Sequence, residues 1–307
     1  MRVFVTGASG WIGSATVDEL LAHGHNVIGL ARSGVSAAAL EAKGAEVLRG
    51  DLDNLDSLRA GAAASDAVIH LANKHDFNNP EVSNRAERDA VQTLGDALVG
   101  TDRPLVIAAG VAGIVFGRAS TEEDPNPSHG ATSPRGGSEN LALEFAHRGV
   151  RAVSVRFAPT VHGAGDHGFL ATLVDVAREA GVSAYVGDGT NRWPAVHRTD
   201  AARLVRLGLE YAGAGSVVHA VGEEGVQART IAEEIGRGLG LPVVSVDPDD
   251  AVAHFGWIGN FFAMDLPSSS ELTRQRFDWT PTGPTLAEDL ASGVYFRQGA
   301  ASPAAAR

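Results

Sequence analysis

The sequence predicts an α/β protein built on a doubly wound parallel sheet, with a small discontinuous C-terminal subdomain. Three observations carry that expectation: β-branched runs alternate with helical stretches, a glycine-spaced turn joins the first strand to the first helix, and no long linker divides the chain. Arg2–Thr6 is the first run, and residues 6–13 form the turn, with glycines at 7, 10 and 13. The helix that follows carries Ile12, Ala15, Val17, Leu20 and Leu21 as an apolar stripe. Strands are then expected at 25–31, 45–48, 67–71, 105–109 and 151–157, separated by helices at 37–43, 55–63, 81–99 and 141–147. Residues 1–160 make one domain, to which 183–222 return, with 216–221 as a further strand of the main sheet. Residues 161–182 and 223–299, with helices at 169–180 and 231–239 and a strand at 243–246, make the subdomain, and 300–307 read as a flexible tail. A helix at 199–211 belongs to the returning stretch.

Composition narrows the partners. The 307 residues hold 37 acidic and 25 basic side chains, a net charge of −12, with no basic block. Nucleic acid and anionic membrane surfaces are therefore disfavoured, because both need concentrated positive charge. No cysteine is present, so disulfide and thiolate chemistry are excluded. A strand starting at Arg2 leaves no room for a signal peptide, and no apolar run approaches a membrane span. A cytoplasmic location is the expectation, with a small-molecule substrate as partner.

The turn at residues 6–13 has the make-up of a dinucleotide cradle. Gly7 suits the tight exit from the strand, Gly10 lets the main chain approach a pyrophosphate, and Gly13 lets the helix lie close on the sheet. The amides of Trp11 and Ile12 open the helix, where its dipole favours negative charge. A tight turn without ligand is the competing reading, disfavoured by the strand before and the helix after. The second strand ends at Arg32-Ser33, where an NAD site usually places a carboxylate for the ribose 2′-hydroxyl. A guanidinium and a hydroxyl suit a 2′-phosphate instead, so NADP(H) is the expected cofactor; a solvated surface arginine is the alternative.

These landmarks resemble the extended branch of the short-chain dehydrogenase/reductase superfamily, the NAD-dependent epimerase/dehydratase-like proteins. The resemblance covers nearly the whole chain, through Gly50-Asp51-Leu52, His70-Leu71-Ala72-Asn73, residues 156–163, Gly187-Asp188-Gly189, residues 196–202 and Phe277-Asp278-Trp279-Thr280-Pro281. It implies a Rossmann domain in which Asp51 and Leu52 meet the adenine and Leu71, Ala72 and Asn73 line the nicotinamide ribose. It also implies that the backbone around Pro159 and Val161 flanks the nicotinamide. Active relatives carry a Tyr-x-x-x-Lys pair and a hydroxyl residue after the fifth strand. Here the corresponding positions read Arg135 and Glu139, the only lysines are Lys43 and Lys74, preceded four residues earlier by Ala39 and His70, and residues 105–117 contain no hydroxyl side chain. The chain thus looks like an atypical member, and Arg135 and Glu139 are expected to pair at i, i+4.

A proton donor must come from elsewhere. His75 is a candidate general acid and Lys74 a candidate oxyanion or carboxylate ligand, against the reading of a solvated polar loop. His162, near the inferred nicotinamide, is a second candidate acid. His162, Asp166 and His167 lack a known metal-ligand spacing, so no metal is expected. Arg192, Trp193 and His197 are substrate-pocket candidates, with core packing competing for Trp193 and a structural role for His197, ahead of a helix capped by Thr199 or Asp200. The apolar stretch Phe255, Trp257, Phe261, Phe262 and Met264 either roofs an aromatic substrate or packs the subdomain. The expected function is an atypical NADP(H)-dependent oxidoreductase acting on a small carbonyl, quinone or conjugated substrate, as monomer or homodimer. A non-catalytic NADP(H)-binding sensor is the alternative. A sugar-nucleotide epimerase or dehydratase is disfavoured, because those reactions begin with Tyr-assisted oxidation.

Overall fold

The computed structural model describes residues 1–74, 76 and 79–297. His75 and the expected tail at 300–307 lie outside the described residues. The chain begins β1 (Arg2–Thr6), α1 (Trp11–Ala22), β2 (Asn26–Ala31), α2 (Gly34–Ala42), β3 (Glu46–Arg49), α3 (Leu55–Ala63), β4 (Ala67–His70), α4 (Pro80–Leu98) and β5 (Pro104–Gly110). It continues with α5 (Ser138–Glu144), β6 (Arg151–Phe157), β7 (Thr160–His162), α6 (Phe169–Ala180), β8 (Ser183–Val186), β9 (Arg192–His197), α7 (Arg198–Tyr211) and β10 (Ser216–Ala220). The last part contains β11 (Glu223–Gln227), α8 (Ala228–Leu239), β12 (Val243–Val246), α9 (Ala251–Phe255), α10 (Gly259–Phe262), α11 (Glu271–Phe277) and α12 (Leu286–Ala291).

Among the described residues, seven strands form one parallel sheet in the order β10-β6-β5-β4-β1-β2-β3. The winding leaves β1 toward β3, then returns to β4 on the other side of β1. That reversal opens a crevice at the carboxyl ends of β1 and β4, where open α/β sheets take their ligands. The period-2 alternation of β1 shows how the sequence covers both faces. Val3 and Val5 join Val17, Leu20 and Leu40 and the α7 residues Leu204 and Leu209 in one core. Phe4 points the other way, among Leu58, Leu94, Leu98 and Phe145 of the α3, α4 and α5 side. Each such side chain, fully buried, contributes about 1.5–3 kcal/mol.

A second core gathers Leu170, Leu173, Ile231, Ile235, Phe255, Phe262 and Leu290 around Trp193. Its strands account for a difference from expectation. Of residues 183–222, α7 and β10 do return to the main sheet, but β8 pairs with β12, and β9 lies between β7 and β11. β7 spans three residues and β11 reads Glu-Glu-Gly-Val-Gln, too short and too polar to show strand alternation in sequence. No helix among the described residues is long and apolar enough to cross a membrane.

Candidate functional site

The crevice is built first from backbone. Gly7 has φ +67°, and a Cβ there would lie 2.7 Å from the Ala72 amide nitrogen and the Leu71 carbonyl carbon. Glycine is therefore required where the end of β1 passes the end of β4. At Gly13 a Cβ would meet the Gly7 carbonyl oxygen at 2.0 Å, which holds the start of α1 against the turn. Gly10 differs: a Cβ there meets only the Gly7 oxygen, at 3.1 Å, and otherwise enters open space. Gly10 is also the N-cap of α1, with no side-chain cap and no acidic residue in the first turn. The first amides of α1 are thus left without a side-chain acceptor in front of an open space, a donor set that fits an anionic pyrophosphate.

Trp11 contributes its backbone to this set while its side chain is used elsewhere. The indole Nε1 donates to the Val161 carbonyl at 2.7 Å, and the Arg198 guanidinium stacks 4.2 Å above the ring centre. The glycine turn is thereby tied to β7 at Val161. Leu71 and Ala72 are reached from β1: Leu71 N donates to the Thr6 carbonyl at 3.2 Å and Ala72 N to Thr6 Oγ1 at 3.3 Å. Asn73 donates its side-chain amide to Glu87 Oε2 at 3.0 Å.

At the other end of the crevice, Arg32 is exposed, and its guanidinium has no hydrogen-bond or ion-pair partner among the described residues, while its carbonyl accepts from Arg49 Nη2 at 3.4 Å. Ser33 caps α2, accepting from Ser36 N at 3.1 Å. A second cation, Arg49, went unnoticed in the sequence; its Nη1 donates to the Ser33 carbonyl at 2.6 Å. The β2–β3 register that pairs Ala31 with Arg49 brings it there, so the strand order was the missing signal. Asp51 Oδ1 accepts from Asp53 N at 2.9 Å and Asn54 N at 3.0 Å, shaping the turn beside the buried Leu52.

Several expected roles are corrected by geometry. Lys74 is held by both oxygens of Asp53, at 2.7 and 2.9 Å, and so leans toward the β3 side of the crevice and away from β5 and β6. His162 is fully buried, with Nδ1 2.6 Å from Asp289 Oδ2 and Nε2 4.0 Å from Glu223 Oε2. Burial pushes its imidazole below the usual histidine value, against the opposing pull of Asp289. It is closed off from solvent, with Nδ1 committed to Asp289 and Nε2 buried without a hydrogen-bond partner. Trp193 is 1% exposed and packs against Phe169, Phe261 and Phe262, so it is core and not a stacking platform. Arg192 pairs with Asp265 at 2.8 Å. His197 is itself the N-cap of α7, accepting from Thr199 N, while Asp200 is turned to the amides of Thr282 and Gly283.

Arg135 and Glu139 do not pair. Residues 135, 136 and 137 have φ of 54°, 63° and 62°, a left-handed turn, so position 135 is not one helical turn before 139. Arg135 Nη2 instead meets Glu87 Oε1 at 2.6 Å. Glu139 faces the sheet, accepting from Arg156 Nε at 2.6 Å and Ser154 Oγ at 2.9 Å. Burial drives the Glu87 carboxyl up, but the charges of Arg135 and His70 and the hydrogen bonds of Arg135 and Asn73 outweigh it and hold the group below its usual range.

Residues 3–222 match the NAD dependent epimerase/dehydratase family. An uncharacterized protein of Schizosaccharomyces pombe is 48% identical over 299 residues, covering 96% of this chain and all of its own. A 2′-dehydrokanamycin reductase of Streptomyces kanamyceticus is 31% identical over 257 residues, covering 79% of this chain and 68% of its own. Among solved structures, a dTDP-glucose 4,6-dehydratase from Streptomyces venezuelae with NAD bound superposes with a TM-score of 0.77 at 22% identity, covering 97% of each chain. That likeness shows the shared fold.

Proposed function

Because this chain belongs to the NAD dependent epimerase/dehydratase family, we propose that it is an atypical NADP(H)-dependent oxidoreductase reducing a small carbonyl, quinone or conjugated substrate. The carrying observation is the paired make-up of the crevice: an uncapped α1 in front of open space, and the unpartnered Arg32 guanidinium beside Ser33 and Arg49. The bound dinucleotide supplies the hydride. Gly7, Gly10 and Gly13 shape its seat, and the amides of Trp11 and Ile12 hold the pyrophosphate. Arg32 and Ser33 take the 2′-phosphate, and Asp51 and Leu52 border the adenine. Leu71, Ala72 and Asn73, with the backbone of Pro159 and Val161, line the reacting end.

With Lys74 committed to Asp53 and His162 enclosed, His75 or water provides the proton in this reading. An apolar substrate is supported by Trp257 and Phe261, whose rings lie 5.7 and 5.2 Å from that of Phe169 in tilted and edge-on contact. The relative named a 2′-dehydrokanamycin reductase supports reduction over other family chemistries. The test is NADPH oxidation against a broad panel of carbonyls, quinones and enones. If cofactor binds and nothing on the panel consumes it, the enzyme reading is wrong and a cofactor-binding sensor takes its place.

A further inference from the structure

We propose that Arg135 is the group that holds the substrate's reacting oxygen, a role that rests on the oxidoreductase reading above. Three features of the residue point there. Its backbone is strained: φ of 54° on a side chain with a Cβ costs about 1–2 kcal/mol, and Gly136 and Gly137 continue the same left-handed turn. The strain places a guanidinium on Glu87, which is 1% exposed and also held by Asn73. The guanidinium is anchored but not used up. Nη2 serves Glu87, while Nε is buried with no hydrogen-bond partner and Nη1 has none among the described residues. The Arg135 side chain as a whole is 37% exposed, so the guanidinium reaches solvent even though Nε itself is shielded. A buried N–H without an acceptor is a standing cost that a ligand oxygen would relieve.

Its position matches the task. Glu87 binds Asn73, Asn73 follows Ala72, and Ala72 is tied to Thr6 at the mouth of the glycine turn, so Arg135 is joined by direct contacts to the crevice at the ends of β1 and β4. Arginine cannot act as the acid, because it keeps its proton at any working pH. The balanced step is therefore this: a hydride adds to the carbonyl carbon, the C=O π pair moves onto oxygen, and the nicotinamide dinucleotide is oxidised. Arg135 N–H groups stabilise the resulting alkoxide, which takes its proton from water or a neighbouring acid. A preorganised donor of this kind is worth about 10²–10³-fold in rate.

The test uses stable oxyanion mimics, carboxylates from acetate to 2-naphthoate, titrated calorimetrically into the protein saturated with oxidised NADP. Wild type is expected to bind at least one of them. Arg135→Lys and Arg135→Gln are expected to weaken that carboxylate by about tenfold or more, with NADP affinity within twofold of wild type. Because Arg135→Gln strands Glu87, the Arg135→Gln/Glu87→Gln double variant keeps the pair neutral and guards against misfolding. Carboxylate binding that is absent in wild type, or unchanged in the folded double variant, overturns the proposal and leaves Arg135 as a counter-ion for Glu87. Carboxylate binding that depends on Arg135 sustains the oxygen site even where no panel compound oxidises NADPH, so failure of the oxidoreductase reading is seen separately.

Discussion

In the proposed reading, Gly10 borders a ligand's seat and Gly13 a structural contact within one turn. Gly10 has φ −76° and ψ 179°, angles open to any residue. Alanine there loses some N-cap preference but restricts the unfolded chain, two effects of about 0.5–1 kcal/mol that oppose each other. Its Cβ meets only the Gly7 oxygen, at 3.1 Å, so Gly10→Ala should leave stability within about 1 kcal/mol of wild type. The same methyl enters the space in front of the α1 amides and pushes a pyrophosphate off them. Losing one charge-assisted hydrogen bond, about 1.5–3 kcal/mol, raises the dissociation constant about 10–100-fold. Gly13→Ala is the mirror case. A Cβ 2.0 Å from the Gly7 oxygen forces backbone apart, and overpacking of about 1–3 kcal/mol or more outweighs the helix-propensity gain of about 1 kcal/mol. Thermal unfolding and fluorescence titration with NADPH measure both effects. A Gly10→Ala protein that binds NADPH within twofold of wild type refutes the seat, and a Gly13→Ala protein with unchanged Tm refutes the close-contact argument.

Arg32→Ala should weaken NADPH about tenfold or more while leaving NADH affinity unchanged, and added salt should narrow the wild-type preference; equal losses for both cofactors would contradict the 2′-phosphate role. Asp200, 2% exposed, accepts from the Thr282 and Gly283 amides and from Arg203, so Asp200→Ala should cost about 2–4 kcal/mol in urea unfolding; a loss below 1 kcal/mol would show that the 280–283 turn is held by other contacts. Burial raises the Asp166 carboxyl above its usual range. Its ionised form is therefore disfavoured in the folded protein, and that penalty is full above the raised folded value, declines as pH falls below it and is gone below the ordinary carboxylate range of the unfolded chain. Asp166→Asn should gain on wild type as pH rises from 4 to 7 in urea titrations, and a stability difference independent of pH would count against it.

The strand–glycine-turn–helix unit was legible because its parts are neighbours in sequence: strand, turn and helix fall within the first 22 residues, and each glycine acts on backbone of the same turn or of the adjoining strand end. The doubly wound sheet was legible for a related reason, since alternating strand and helix patterns leave few ways to bury both faces. Short and polar strands escaped, because β7 and β11 take their order from β9 and not from their own side chains.

Sequence alone determined the fold class, the glycine turn that opens α1 without a side-chain cap, the arginine at the end of β2, and the Arg and Glu at positions 135 and 139. Tertiary structure alone decided what the charged side chains do. Lys74 finds Asp53 at a separation of 21 residues, Arg135 finds Glu87 at 48, and His162 finds Asp289 at 127. A charged or polar group leaving water must meet a partner, and which partner is near enough is set by how the strands are ordered and how helices pack on them. Arg135 shows the difference most plainly: in sequence it reads as half of a surface pair one turn from Glu139, and in the folded chain a left-handed turn carries it to a buried carboxylate at the crevice.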